Sequence, residues 1–115
     1  MPFGRWYPLA TAALNAPAEP GVFQVRLRTG LVDYPGGKSA MVHYELGADV
    51  RAAATAFAGR HPERDWLCRH TIETEAGGSD APQAVYARLT RDFRARFGAP
   101  PTLPAAPDAV EPGGS

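Results

Sequence analysis

Gly21-Val22-Phe23-Gln24-Val25-Arg26-Leu27-Arg28, followed closely by Tyr34-Pro35-Gly36-Gly37-Lys38-Ser39, is the stretch on which the reading of the fold turns. In its first half Phe23, Val25 and Leu27 alternate with Gln24, Arg26 and Arg28, the period of a strand with one apolar and one wet face. Thr29-Gly30 then predicts a tight turn, because glycine supplies the positive φ that short hairpins need. Leu31 to Tyr34 would be the returning strand. Pro35-Gly36-Gly37 ends the pairing, since proline has no N–H to donate and the glycines favour a turn.

Upstream of this hairpin, residues 8–15 read as a short helix with Pro8 in its first turn, Leu9 and Ala13 on one face, and Pro17 closing it. Downstream, Val42, Tyr44 and Leu46 alternate with Met41, His43 and Glu45, a possible third short strand. Asp49 is placed to cap a helix over residues 50–58 that Gly59 stops, with Val50, Ala53, Ala54 and Phe57 as its buried stripe. Trp66 to Thr74 predicts a further strand, with Trp66, Cys68, His70 and Ile72 on one face. The clearest helix follows: Ser79 or Asp80 as cap, Pro82 in the first turn, Val85, Tyr86, Leu89, Phe93 and Phe97 as the apolar stripe, and Gly98-Ala99-Pro100-Pro101 as the stop. Residues 103–115, mostly Pro, Ala and Gly, read as a disordered tail. The expectation is one α+β domain over residues 1–102, with helices packed on a small, mostly antiparallel sheet.

At 115 residues the chain is long enough for one real core and too short for two. Twelve basic and twelve acidic residues balance to zero formal charge, so no global bias points to nucleic acid or to a membrane surface. The single cysteine, Cys68, excludes an internal disulfide and fits a reducing compartment. No apolar run approaches the roughly 18 residues of a membrane span, and the N-terminus lacks a basic region followed by an apolar one. These features predict a soluble, cytoplasmic protein with no membrane association.

A strand carrying Gly21-Val22-Phe23 and a following Tyr34-Pro35-Gly36 together resemble the paired signatures of the GIY-YIG nuclease-like domain. The resemblance covers about residues 20–101 and extends to the closing Phe97-Gly98-Ala99-Pro100-Pro101. It implies a DNA phosphodiesterase ancestry in which two tyrosines, an arginine on the first helix and a metal-binding glutamate on the last helix do the chemistry. Matched residue by residue, the first tyrosine is Phe23, which has no hydroxyl; the second is Tyr34; the arginine is Arg51, displaced by the Met41–Leu46 insertion. The last helix contains no glutamate: the expected position falls near Val85 or Tyr86, Asp92 does not match it, and Gln83 lacks the charge Mg²⁺ prefers. Loss of one proton-transfer group alone lowers a rate by about 10²–10⁴-fold. The resemblance therefore implies a non-catalytic binding or scaffold domain, with Phe23, Tyr34 and Arg51 as vestiges and no metal or other cofactor. The alternatives are a divergent Mg²⁺-dependent DNA endonuclease, for which Glu45, Glu73 or Glu75 would have to approach Tyr34 and Arg51, and a purely structural protein-interaction module.

Gly37-Lys38-Ser39 is not a nucleotide-binding P-loop, because the glycine required five residues earlier is Val32. A turn with an anion held by the glycine amides and Lys38 is the residual functional reading. The expected binding face combines Tyr34, Gly36, Gly37, Lys38, Ser39, His43, Tyr44 and Arg51. One cysteine and three scattered histidines are too few for a zinc site. Arg88, Arg91 and Arg94 share a third of the last helix's circumference and, with Arg26 and Arg28, could form a small basic patch for a protein or nucleic-acid partner.

Overall fold

The computed structural model describes residues 3–72 and 81–104. In chain order it forms β1 (Tyr7–Pro8), a 3-10 turn (Leu9–Thr11), α1 (Ala12–Asn15), β2 (Gly21–Leu27), β3 (Val32–Tyr34), β4 (Gly37–Ser39), β5 (Met41–Gly47), α2 (Val50–Arg60), β6 (Trp66–His70) and α3 (Pro82–Phe97). The architecture is α+β: an antiparallel four-stranded sheet in the order β1-β6-β2-β5, and a separate two-stranded hairpin, β3-β4.

β2 lies inside the sheet, with Phe23 opposite Glu45 of β5 on one edge and opposite His70 of β6 on the other. This differs from the expected hairpin of β2 with Leu31–Tyr34. The reason is ladder length: β3 offers three residues before Pro35 removes an N–H, whereas β5 supplies partners for Gly21 through Arg26. The short β3 turns back instead on β4, with Tyr34 opposite Gly37. The ambiguous Met41–Leu46 stretch is thus a full strand. Its register steps from Val25↔His43 to Arg26↔Met41, so Val42 is the extra residue of a β-bulge.

The alternation of β2 is real, but its polar side is not wet. Phe23 and Val25 face a front layer built from Leu9, Ala12 and Ala16 of the N-terminal segment and Val50, Ala54 and Phe57 of α2. The ring of Phe57 meets Phe23 edge-on and stacks on His43 at 4.3 Å. On the back, Val22 and Gln24 are buried, because that face is covered too: Phe93 of α3 packs against Tyr44, and Trp6 lies over Arg26 and Arg69. Alternation cannot reveal this, since a glutamine and an arginine are read as exposed unless their partners are known.

Other boundaries shift for local reasons. Residues 8–15 are not one helix: Pro8 is extended and pairs with Leu67, so the chain joins the sheet before turning through Leu9–Thr11. α2 runs through Gly59 to Arg60, and His61 beyond it packs on Phe57 and Trp66. Asp49 caps α2 as expected, its carboxylate accepting from the Ala52 amide at 3.0 Å. The N-cap of α3 is Ala81, with Pro82 in the first turn; Ser79 and Asp80 lie outside the described residues. Leu103 packs against the core and the Pro104 carbonyl accepts from Arg64, so the ordered chain continues past residue 102. The predicted disorder of the remaining tail concerns residues 105–115, outside the described ones. Among the described residues no helix is long and apolar enough to cross a membrane.

Phe23 is completely buried between Phe57 and His43. A hydroxyl there would enter a close-packed apolar layer with no built partner. Phe23→Tyr is expected to lower stability by about 1–3 kcal/mol, read as a lower urea midpoint with an unchanged slope; an equally stable variant would contradict this placement.

Candidate functional site

Tyr34-Pro35-Gly36-Gly37 is the hairpin tip, and it is engaged by the C-terminal end of α3. The Gly36 amide donates to the Phe97 carbonyl at 2.8 Å, satisfying one of the carbonyls a helix leaves open at its end. Arg96 donates back to the Gly36 carbonyl. A Cβ on Gly36 would stand 2.8 Å from the Arg96 carbonyl oxygen, so only glycine permits this approach. Gly98 ends α3 with φ of 82°, and its Cα faces Pro35. The Tyr34 ring packs edge-on against Phe93 and beside Phe97. Its hydroxyl donates to the Met41 carbonyl at 2.7 Å and accepts from the Thr102 amide at 3.0 Å. Burial raises the Tyr34 pKa, partly offset by the Thr102 amide. This oxygen is a structural node joining β3, β5 and the segment after α3.

The other predicted site residues do not gather around it. Phe23 and His43 belong to the front layer, whereas Tyr34 and Tyr44 meet α3 on the back. Arg51 starts α2 beyond the far end of β5 and donates through Nε to the Ala16 carbonyl at 2.7 Å. Since Tyr34 is bonded to Met41 at the near end, the length of β5 separates the two, about 20 Å at the usual strand rise. Lys38 is exposed and pairs with Asp33 across the hairpin, and the Ser39 hydroxyl accepts from the Met41 amide. Gly37 is at φ of 144° within the tip. The expected anion turn thus has its lysine paired with a carboxylate and its Gly36 amide bonded to a helix carbonyl. Of the three glutamates considered for a divergent metal site, Glu45 is bonded to His43 at 2.8 Å, and Glu73 and Glu75 lie outside the described residues. The corrected picture keeps Tyr34, Gly36 and Gly37 together with Tyr44 nearby, and separates them from His43 and Arg51.

Cys68 and His70 form a different local set. Tyr7 bridges them: its hydroxyl is hydrogen-bonded with His70 Nδ1 at 2.9 Å, and the Cys68 thiol lies 3.7 Å from the same oxygen. Burial pushes the Cys68 thiol up to about 12, which holds it in its unreactive protonated form. Burial lowers the pKa of His70.

By sequence alone Arg26 is only an outlying member of a patch, and Arg69 carries no distinguishing signal. The structure sets their guanidinium groups on one indole: Arg26 lies 4.6 Å and Arg69 4.5 Å from the Trp6 ring centroid. They come from neighbouring strands, Gln24 standing opposite Arg69 and Arg26 opposite Leu67. Arg69 donates from Nε to the buried Gln24 side-chain oxygen at 2.7 Å. Arg26 Nε is buried without a hydrogen-bond acceptor. Burial and the neighbouring Arg26 charge both lower the pKa of Arg69, and nearby Tyr44 opposes them. The strand register alone could have suggested the pair, but the register was not legible before the fold. Arg91 belongs elsewhere, on exposed α3 beside Asp92. A shallow hollow of about 270 Å³ between Leu9, Gly59, His61 and Arg64 contains none of the predicted site residues.

No protein-family profile, curated protein or solved structure matches this chain.

Two outcomes follow from this geometry. Tyr34→Phe removes both a donor and an acceptor from a buried node and is expected to lower stability by about 1–3 kcal/mol in a urea titration, with the amide resonances of Thr102 and of Val42, which shares its peptide group with the Met41 carbonyl, shifting most. Stability is also expected to decline on both sides of neutrality. Above pH 10, the ordinary tyrosine range, unfolded tyrosines lose protons while Tyr34 and Tyr44, the latter raised to about 12, stay neutral, so the native state loses ground as pH rises. Below pH 6.5 unfolded histidine gains a proton before His70 does, so stability falls as pH drops. Melting curves across both ranges check this; a flat profile from pH 5 to pH 7 in which His70→Asn changes nothing would remove the histidine contribution.

Proposed function

We propose that the chain is a non-catalytic binding module. The observation that carries this reading is the state of the Tyr34 hydroxyl: it is bonded to a backbone carbonyl and a backbone amide, and so is engaged in holding the fold together. A general base or nucleophile activator must instead reach the proton it removes. Two further placements support the reading. Phe23, aligned with the other signature tyrosine, is sealed in the opposite layer, and Arg51 is bonded to the Ala16 carbonyl at the far end of β5. The GIY-YIG-like part of the reading rests on the signature residues in the sequence, and in this fold each of those residues has a packing reason of its own. Gly21, for example, would bring a Cβ within 2.8 Å of Thr71 Oγ1. The binding capacity rests on the back face, where Arg26 and Arg69 share the Trp6 indole and neither forms an ion pair among the described residues.

The test is a cleavage assay on plasmid and branched DNA with Mg²⁺ or Mn²⁺. Intact substrate is expected, with Phe23→Tyr equally inactive. Cleavage that disappears in both Tyr34→Phe and Arg51→Ala would overturn the non-catalytic reading.

A further inference from the structure

We propose that Arg26 and Arg69 form a binding site for a phosphate-type oxyanion on the back of the sheet. Trp6 covers both guanidinium groups and Phe3 also covers that of Arg69, but ring contacts engage the faces of an arginine, whose N–H donors lie in the plane of the group. Arg69 directs its Nε at Gln24, which fixes the orientation of its fork. Arg26 has a buried Nε with no acceptor, an arrangement that native proteins rarely leave unanswered. Neither arginine has a carboxylate partner among the described residues, so the two cations stand side by side unneutralised. Both arginines are half-exposed, so an oxyanion with several acceptor oxygens meets their terminal N–H groups, although the buried Nε of Arg26 is closed to it. It supplies acceptors to two forks at once, cancels the like-charge repulsion and gains from the partly desolvated surroundings. Tyr44 stands in the same cross-strand row, opposite Gln24, which is itself opposite Arg69.

Holding the N-terminal segment is a structural use of the same stack: Phe3 lies under Arg69, and the Gly4 amide bonds to the His70 carbonyl. That use explains the aromatic contacts. It does not explain why two arginines, without a neutralising acid, converge on one indole, since a single cation would hold it.

This inference rests on the binding-module reading and deepens it by naming the ligand chemistry. The probe is inorganic phosphate, and in a second arm a short single-stranded oligonucleotide, titrated into the full chain at low ionic strength. Tryptophan fluorescence and the melting temperature are followed. Phosphate is expected to perturb Trp6 emission and raise the melting temperature, as any ligand of the native state does. Arg26→Gln should weaken phosphate binding about ten- to a hundred-fold, and it should not destabilise the unliganded fold, because it removes a repelled cation with an unsatisfied donor. Arg26→Lys keeps the charge but loses the fork and should also bind more weakly. Arg91→Gln on exposed α3 should bind as the parent does.

Oligonucleotide binding with a steep salt dependence, lost in Arg26→Gln, would assign the phosphate to a nucleic-acid backbone; phosphate binding alone would assign it to a small phosphorylated ligand. Either supports the site. The proposal is overturned if neither probe binds, or if Arg91→Gln weakens binding as much as Arg26→Gln. A chain that cleaves DNA would sink the binding-module reading, whereas one that neither cleaves nor binds phosphate would sink only the oxyanion site.

Discussion

The docking of the β3-β4 tip onto the C-terminal end of α3 is the contact on which the back half of the fold depends. Helix α3 is separated from β6 by residues 71–81, so its position must be set by what it touches rather than by a short connection. Three kinds of contact converge there: the Gly36 amide on the Phe97 carbonyl, the Pro35–Gly98 approach, and the Tyr34 ring against Phe93 and Phe97. Each demands a particular residue type. A glycine is needed for the close approach, a second glycine for the left-handed helix stop, and an aromatic with a hydroxyl to fill space while tying Met41 to Thr102. A motif that resembles a catalytic signature therefore has a complete structural explanation in this chain.

The same holds for the first signature. Gly21 passes close to Thr71 and Val50, and Val22 and Phe23 are buried on opposite faces of the sheet's inner strand. Phenylalanine rather than tyrosine at position 23 suits a site with no polar partner. The aromatic positions of the two stretches, Phe23 and Tyr34, lie in different layers.

Polar groups buried by this arrangement are matched unevenly. His70 bonds with the Tyr7 hydroxyl, His43 meets Glu45, and Gln24 accepts from Arg69. Arg26 is the exception, with its Nε buried and unanswered beside a second cation. Two-sided burial of β2 creates that exception, because α3 and the N-terminal segment enclose a face that carries Gln24 and Arg26 beside Val22. The charge that matters is local: a chain of zero formal charge still concentrates two unneutralised guanidinium groups on one indole.

Local sequence determined the elements themselves. The apolar alternation of β2, the Asp49 cap, the stripe of α3 and its Gly98 stop all act over a few residues, so they are legible from residue type and spacing. The α+β class followed from their order. Tertiary structure alone decided which strands pair: β2 chose β5 and β6 over β3, since ladder length and burial on two faces outweigh proximity in sequence. That choice placed Phe23 and Tyr34 in different layers, put the length of β5 between Tyr34 and Arg51, and brought Arg26, Arg69 and Trp6 together across three strands or segments. A site is a set of distances between residues far apart in the chain, and no local spacing specifies those until the register is formed.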